Sequence, residues 1–147
     1  MCTANEILAR KGFSVFVVPA GATVREAVDR MNQLKVGAIG VSDGEDGHLS
    51  GMFTERDVLR RVVGENRDPA STLVSTVMTG EVVCCGPDTD VDEISAIMKD
   101  RRIRHVPVCD RDGELLGMIS MGDVNAVHAS HQEAQITYLN EYFYGRV

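Results

Sequence analysis

Two short stretches of the chain place a hydroxyl side chain three residues before an aspartate. The stretches are GMFTERDVL, residues 51–59, and GMISMGDVN, residues 117–125. Thr54 precedes Asp57 in the first, and Ser120 precedes Asp123 in the second. Residues three apart lie on the same side of a helix. Each hydroxyl and its carboxylate would therefore face one spot.

Such a pair at the start of a helix suits a nucleotide. The first helical turn has unpaired N–H groups and partial positive charge, which favour a phosphate beside Thr54 or Ser120. A carboxylate such as Asp57 or Asp123 accepts hydrogen bonds from both hydroxyls of a ribose, as an acidic residue does in dinucleotide-binding folds.

Each phrase also begins with a glycine, Gly51 or Gly117. A strand residue without a side chain would let a flat ring approach the backbone closely. The structural alternative is that the hydroxyl residues are plain N-caps and the aspartates only interact with the helix dipole.

The two phrases end a longer duplication. Residues 22–43 align with residues 89–110 at an offset of 67, and one extra residue in the first copy makes the offset 66 at the phrases. Each copy has the order strand, helix, strand, strand, helix. The predicted first strands are SVFVV, residues 14–18, and EVVCC, residues 81–85.

Helix caps and hairpins follow in both copies. Thr23 and either Thr89 or Asp90 are the predicted N-caps of the next helices. Two short strands joined by an Asp-Gly turn come after each helix, which is a strong hairpin signal. The predicted hairpin strands are AIGV (38–41) with HLSGMF (48–53), and HVPV (105–108) with ELLGMI (114–119).

Together, these motifs over residues 5–130 resemble the cystathionine β-synthase (CBS) domain, which occurs in tandem pairs called Bateman modules. TERD in the first copy, RHVPV in the second and a short C-terminal tail resemble the stand-alone bacterial pairs. The resemblance implies an α/β (α+β) fold of two intertwined β-α-β-β-α repeats related by a pseudo-twofold axis, with N-terminal and C-terminal helical extensions. The predicted bounds are residues 5–64 for the first repeat, 65–75 for a linker, 76–130 for the second repeat and 131–147 for the tail.

The resemblance also implies a function. Clefts between such repeats bind adenosine-containing ligands, and the modules are commonly dimers that sense nucleotide state rather than catalyse reactions. We expect AMP as the first choice of ligand, with NAD, ADP and ATP behind it. The expected assembly is a homodimer, and an unknown regulated protein is a further possible partner.

Basic residues near the second hairpin would hold a phosphate. Arg104 and His105 supply positive charge, with the planar arginine the better donor. Pro107 would give an apolar wall for a base. The first copy has KVGAIGV, residues 35–41, at the same place and so lacks these groups.

Two further cations would complete the sites. Arg56, within TERD, would compensate for the missing basic residues because clefts of such pairs draw residues from both copies. Lys11 precedes the first strand and is a candidate phosphate contact; the alternative is a solvated lysine. Neither phrase is expected to make a complete site alone.

Composition excludes several other classes. The net charge of −7 argues against nucleic-acid binding. No apolar run approaches the length of a membrane span, and the N-terminus lacks the apolar core of a signal peptide, so a cytoplasmic location is expected. No motif of a serine hydrolase, P-loop enzyme or zinc protease is present, so the chain is not expected to be an enzyme.

His128 and His131 lie three apart, but an exposed polar face explains them better than a metal, and no metal is expected to be required.

The four cysteines, Cys2, Cys84, Cys85 and Cys109, show no C-x-x-C spacing. Cys84 and Cys85 would point to opposite faces of a strand, which suits neither a bond between them nor a shared metal. Buried reduced thiols are the simplest expectation.

The C-terminal segment holds most of the aromatic residues and offers Ile136, Leu139 and Phe143 along one face of a continuing helix. This face would dock on its own domain or form a dimer contact, and the sequence leaves both open. An alternative function follows: a protein-interaction or dimerisation module with vestigial ligand clefts. Gly122, a poor helix residue beside Asp123, is consistent with a relaxed second site.

Overall fold

The computed structural model describes residues 2–13, 16–44 and 48–144, with side chains described as far as residue 140. Six α-helices, one π-helix and five strands follow one another in the described chain. In order they are α1 Ala4–Lys11, β1 Val17–Pro19, α2 Val24–Leu34, β2 Ala38–Ser42, β3 Gly51–Thr54, α3 Glu55–Asp57, a π-helix Val58–Val63, α4 Val74–Val77, α5 Val91–Arg101, β4 His105–Cys109, β5 Leu115–Ser120 and α6 Met121–Tyr144.

The first repeat builds a three-stranded sheet in the order β1-β2-β3. β1 runs parallel to β2, and β3 pairs antiparallel with β2, where Ile39 lies opposite Phe53. β3 begins at Gly51, three residues later than predicted, and His48 pairs instead with Glu114 of the second repeat. Residues 14–15 of the predicted first strand and residues 45–47 of the predicted turn lie outside the described residues.

The predicted strand at residues 81–85 is wrong. β4 and β5 form a two-stranded antiparallel sheet, and only Cys85 joins it, through an isolated parallel bridge to Val108. The Cys85 N–H donates to the Pro107 carbonyl at 2.9 Å, and the Cys109 N–H donates to the Cys85 carbonyl at 2.9 Å. A parallel ladder would next need the N–H of residue 107 to donate to Val83. Proline has no N–H, so the ladder stops.

The N-caps of the two long helices α2 and α5 are residues that the sequence predicted. The Thr23 hydroxyl accepts from the Glu26 N–H at 3.1 Å, which confirms that cap. Of the two candidates in the second repeat, Asp90 is the N-cap and accepts from the Asp92 N–H at 3.1 Å. Both helices end on a residue in the left-handed conformation, Lys35 at φ 58° and Arg102 at φ 55°.

The two hydrophobic cores exchange their short N-terminal helices. Ile7 and Leu8 of α1, the first helix of the first repeat, are buried in the core of the second repeat. Val74 and Val77 of α4, the helix at the start of the second repeat, are buried in the core of the first. The exchange confirms the expected intertwined pair of repeats.

Backbone bonds fix this exchange symmetrically. The Ala4 N–H donates to the Thr89 carbonyl, and the Val74 N–H donates to the Ala22 carbonyl, each at 2.8 Å. Each exchanged helix is therefore anchored immediately before the long helix of the other repeat.

The glycines of the two phrases accommodate these exchanged segments. A Cβ at Gly117 would lie 2.7 Å from the Leu8 side chain, and a Cβ at Gly51 would clash with Met78 and lie 2.9 Å from the Thr79 carbonyl oxygen. The space beside each glycine is filled by protein. The expectation that these glycines admit a flat ring is therefore wrong.

The last helix continues without a break from the second repeat into the tail. Val124 and Val127 belong to the core, whereas Ile136 is 59% and Leu139 47% exposed. The alternative in which these two residues dock on their own domain is therefore wrong; the side chain of Phe143 lies outside the described residues. Within the described chain, no helix combines the length and apolar character needed to cross a membrane.

Candidate functional site

Two clefts lie where the repeats meet, one beside each hydroxyl-aspartate corner. The first cleft, of about 390 Å³, lies between the Thr54 corner and residues 102–107 of the second repeat. The second cleft, of about 540 Å³, lies between Ser120 and residues 35–38 of the first repeat. Each cleft thus draws on both repeats.

The Thr54–Asp57 corner is a closed capping box. The Asp57 N–H donates to the Thr54 hydroxyl at 3.3 Å, and the Asp57 Oδ2 accepts from the Thr54 N–H at 3.0 Å. Thr79 adds a hydroxyl donor to the Asp57 Oδ1 at 3.3 Å, and the Arg61 Nε lies 3.8 Å from the same oxygen. Asp57 is only 6% exposed. Its carboxylate is buried, and hydrogen bonds compensate for that burial.

The Ser120–Asp123 corner has the same box, and its charged partner is closer than the arginine beside Asp57. The Ser120 N–H donates to the Asp123 Oδ2 at 2.8 Å, and the Asp123 N–H donates to the Ser120 hydroxyl at 3.1 Å. Lys11 Nζ donates to the Asp123 Oδ2 at 2.7 Å and to the Met118 carbonyl at 2.9 Å. Burial alone would raise the pKa of Asp123, but the bonds from Lys11 and Ser120 and the lysine charge together hold that pKa below its ordinary value.

Four arginines, Arg56, Arg60, Arg102 and Arg104, line the first cleft. Arg56 Nη1 donates to the Arg102 carbonyl at 2.8 Å, which links the two repeats across the cleft. In the described parts of the chain, Arg60, Arg102 and Arg104 make no ion pair with an acidic side chain. Three acidic residues, Glu55, Asp57 and Glu81, also line this cleft, so the four arginines leave it a net positive charge of one that an anionic ligand would neutralise.

The rest of the first cleft is largely apolar. Met52, Val82, Val83, Ile103 and Pro107 contribute to its walls. A small number of polar groups in an apolar cavity is typical of small-molecule sites.

A π-helix positions part of this wall. The Gly64 N–H donates to the Leu59 carbonyl at 2.9 Å, five residues back, which widens the helix. A Cβ at Gly64 would lie 2.6 Å from the Arg60 carbonyl oxygen, so a glycine suits this turn. The widened segment carries Leu59 and Arg60, which line the first cleft. Such segments are rare and frequently occur at functional sites.

His105 lies between the two clefts and lines both. Burial lowers the pKa of His105, although the nearby Glu55 carboxylate acts in the opposite direction. The imidazole is therefore mostly neutral at neutral pH. It would act on a ligand mainly as a neutral hydrogen-bonding group and less as the phosphate-binding cation that the sequence suggested.

The structure distributes the predicted site residues over both clefts. Those lining the first cleft are Thr54, Arg56, Asp57, Arg104, His105 and Pro107. Lys11, His105 and Ser120 line the second. Asp123 is placed beside the second cleft through its bond to Lys11. Lys11 is neither a free solvated cation nor an unpaired phosphate donor, because it is an ion-pair partner.

Several lining residues escaped the sequence reasoning. Arg60 lies one helical turn after Arg56, and Arg102 lies two residues before Arg104, so helical spacing and the basic run were available signals. Thr79 gave no such signal, because only tertiary packing brings it to Asp57.

The two histidines considered for a metal are not part of a metal cluster. His128 Nε2 lies 3.3 Å from an Asp92 carboxylate oxygen. Among the residues that the structure describes, no group of three or more His, Cys, Asp or Glu side chains is arranged to hold a metal ion.

Comparison with known proteins gives a consistent result. The CBS domain family matches residues 5–64 and 74–128. The chain is 42% identical over 127 residues to the mitochondrial CBS domain-containing protein CBSX3 of Arabidopsis thaliana, covering 84% of this chain and 61% of that protein. It is 36% identical over 120 residues to the CBS domain-containing protein YhcV of Bacillus subtilis, covering 82% of this chain and 83% of that protein.

Solved structures agree with this result. A CBS-domain protein from Burkholderia ambifaria superposes with a TM-score of 0.83 at 34% identity, covering 89% of this chain and 96% of that chain. A CBS-domain protein from Agrobacterium tumefaciens superposes with a TM-score of 0.80 at 37% identity, covering 86% and 99%. The family matches twice, the two repeats exchange their first helices, and two clefts lie between the repeats. The chain therefore belongs to the CBS domain family as a tandem pair.

Proposed function

We propose that this chain is a non-catalytic regulatory module that binds an adenine nucleotide in the first cleft. AMP is the first choice, with NAD, ADP and ATP behind it. The observation that carries the proposal is that apolar walls and arginines without ion-pair partners line one cleft, next to the buried Asp57 carboxylate.

The ligand would lie across the cleft in three parts. The base would pack between apolar groups that include Val83, Ile103 and Pro107. The phosphate would take the positive end, where Arg56 and Arg104 offer fork-shaped donors.

The ribose would lie against Asp57. The hydrogen bond from Thr79 to this carboxylate is long, at 3.3 Å, and the two carboxylate oxygens have capacity for further donors. In the free protein Thr79 donates to this carboxylate. When the ligand binds, a ribose hydroxyl would replace Thr79 as a donor or donate beside it.

The second cleft would be a weaker site. Lys11 and Lys35 line it, but Lys11 is already committed to Asp123. A phosphate there would have to compete with a 2.7 Å ion pair. We propose that a second nucleotide binds there with lower affinity.

Proteins of the same fold are known with adenosine ligands. A CBS domain protein from Pyrobaculum aerophilum is complexed with AMP, and a CBS pair from another protein is complexed with methylthioadenosine and S-adenosylmethionine. At 24% and 20% identity these establish that the fold accommodates adenosine ligands, and the choice of ligand here rests on the arginines of the first cleft.

Calorimetry with a ligand panel tests the proposal. AMP, ADP, ATP, NAD and S-adenosylmethionine would be titrated into the protein, with GMP and adenosine as controls for the base and the phosphate. A ligand that binds only the folded protein also raises the melting temperature with its concentration. We expect AMP to bind more tightly than adenosine. If no adenosine compound binds at about millimolar concentration, where the binding free energy is only about −4 kcal/mol, the proposal is wrong.

The exposed tail favours a second role in assembly. Ile136 and Leu139 are apolar and exposed on α6, and a second copy of the chain would cover them in a homodimer. Gel filtration of a chain ending after Ser130 tests this: we expect the shortened chain to elute as a monomer. An unchanged dimer would exclude the tail from association. If the clefts bind nothing and the tail still assembles, the protein-interaction role becomes the leading function.

A cytoplasmic location also stays a prediction, which cell fractionation would test.

A further inference from the structure

Two thiols meet at the Cys109 end of the β4–β5 ladder, opposite to the end where His105 pairs with Ser120. Cys109 Sγ donates to Cys84 Sγ at 3.3 Å, although the two residues are 25 positions apart. Cys84 is exposed, which departs from the expectation that all the thiols are buried, whereas Cys2, Cys85 and Cys109 are buried. The pair opens on a cavity of about 650 Å³, so small molecules have access to it.

The two sulfurs are close enough to join. A disulfide has an S–S length of about 2.05 Å, so closure needs an approach of about 1.3 Å from the present 3.3 Å. Cys84 lies in the irregular segment before the bridge at Cys85, and Cys109 lies at a register shift in β4. Cys84 is therefore outside any regular ladder, and the pairing at Cys109 is already irregular.

We propose that Cys84 and Cys109 form a reversible dithiol–disulfide site that small disulfide compounds oxidise. The Cys84 thiolate attacks one sulfur of a compound such as oxidised glutathione, and one glutathione thiolate leaves. The Cys109 thiol then loses its proton and attacks the Cys84 sulfur, which expels the second glutathione thiolate. Two cysteine thiols are oxidised, one small disulfide is reduced, and the released thiolates take up the two protons.

The order of attack follows from exposure. Cys84 faces solvent and meets the oxidant first. Burial raises the pKa of Cys109 to about 12, and the hydrogen bond to Cys84 adds to the effect. The Cys109 thiol therefore stays protonated during the first step, in which Cys84 attacks the small disulfide.

The bond would act on the first cleft. Residues 81–83 lead into Cys84 and line that cleft, as do His105 and Pro107 of β4, the strand that carries Cys109. A disulfide would tie the two walls together where the ladder is interrupted. The walls of the first cleft should therefore be less mobile in the oxidised chain, and this can be measured without a nucleotide.

Thiol counting after treatment with oxidised glutathione tests the site. The reduced chain has four cysteines and the oxidised chain should titrate as two under denaturing conditions, with mass spectrometry locating a Cys84–Cys109 link. Cys84→Ser should keep its three thiols. Cys109→Ser should trap glutathione on Cys84, because the second thiol is missing. The matched control Cys85→Ala removes a neighbouring thiol and should still form the bond.

Two results of thiol counting would overturn the proposed bond, and one result of hydrogen exchange would overturn its proposed effect on the cleft. If the wild type yields only glutathione adducts or disulfide-linked chains, the pair does not close. If Cys84→Ser still loses two thiols, the bond forms elsewhere. Hydrogen–deuterium exchange should be slower at residues 81–85 in the oxidised chain, and unchanged exchange there would remove the link to the cleft.

Discussion

The two hydroxyl-aspartate corners differ in the partner that the exchanged segment supplies. At the first corner, the Thr79 N–H donates to the Met52 carbonyl at 2.8 Å and its hydroxyl donates to Asp57. At the second corner, Lys11 makes both contacts with its ammonium group, to Met118 and Asp123. The same phrase therefore produces one buried corner, where the Thr79 hydroxyl donates and Arg61 lies 3.8 Å away, and one partly exposed corner with a 2.7 Å ion pair to Lys11.

This difference arises from the length of the exchanged helices. α1 has eight residues and ends on Lys11, whereas α4 has four and leads into a segment that bridges to β3. A duplicated sequence keeps its local capping chemistry but not the tertiary partner. Arg60, Arg102 and Arg104 at the first cleft make no ion pair among the described residues, whereas Lys11 at the second corner is paired with Asp123.

The largest effect should come from breaking the exchange itself. Leu8 is fully buried in the second core, and Leu8→Ala should lower the free energy of unfolding by about 2–5 kcal/mol, as measured by urea denaturation. The matched control is Leu139→Ala on the exposed tail, where a change within about 0.5 kcal/mol is expected for the protomer. Equal midpoints for the two variants would mean that α1 does not support the second core.

The next largest loss of stability should come from replacing the aspartates of the two corners. Asp57→Ala leaves the Thr54 N–H and the Thr79 hydroxyl without their acceptor in a buried place, so we expect a loss of about 1–3 kcal/mol in the same measurement. Asp123→Ala should cost less, because water reaches a side chain that is 22% exposed. Asp29→Ala, in an exposed pair, is the control. A larger loss at Asp123 would reverse the comparison.

The order of elements was predictable because it rests on local chemistry. Thr23 and Asp90 cap helices through bonds to residues two or three positions away, and turn residues separate the hairpin strands. The strand at residues 81–85 was mispredicted because its apolar pattern says nothing of the missing N–H at Pro107, which lies more than 20 residues away.

The site was predictable in its residue types more than in its bonds. Arg104 and Pro107 were found from the second hairpin and do line the first cleft. The Lys11–Asp123 pair spans 112 positions, and no sequence pattern links its members. Such contacts depend on which helix packs on which core, so they required the structure.

The next smaller effect should be a loss of AMP affinity when an arginine of the first cleft is replaced. Arg104→Gln removes a charged donor from the first cleft, and we expect AMP to bind about 10-fold more weakly or worse by calorimetry, since a hydrogen bond to a charged group contributes about 1.5–3 kcal/mol. Arg101→Gln is the matched control, because Arg101 is exposed on α5 and outside the cleft. Equal losses in both variants would show that only general charge matters, and that the cleft is not the site.

The smallest effect should be a dependence on pH that is specific to the second corner. The pKa of Asp123 is below its ordinary value of 3.8 in the folded chain, so the unfolded chain binds a proton more readily. The stability from this group is therefore present above pH 3.8 and is lost as the pH falls through the lower folded value. Lys11→Met removes the ion pair and should flatten that part of the profile.

Urea midpoints measured from about pH 6 down to about pH 3 would detect this change. Other carboxylates also titrate in this range, so the informative quantity is the difference between wild type and Lys11→Met. Lys35→Met, which removes a lysine that makes no ion pair among the described residues, should keep the wild-type slope. The expected difference is modest because the Lys11 side chain is 39% exposed and solvent screens the pair. Identical slopes for Lys11→Met and Lys35→Met would mean that the ion pair does not distinguish the second corner from the first in solution.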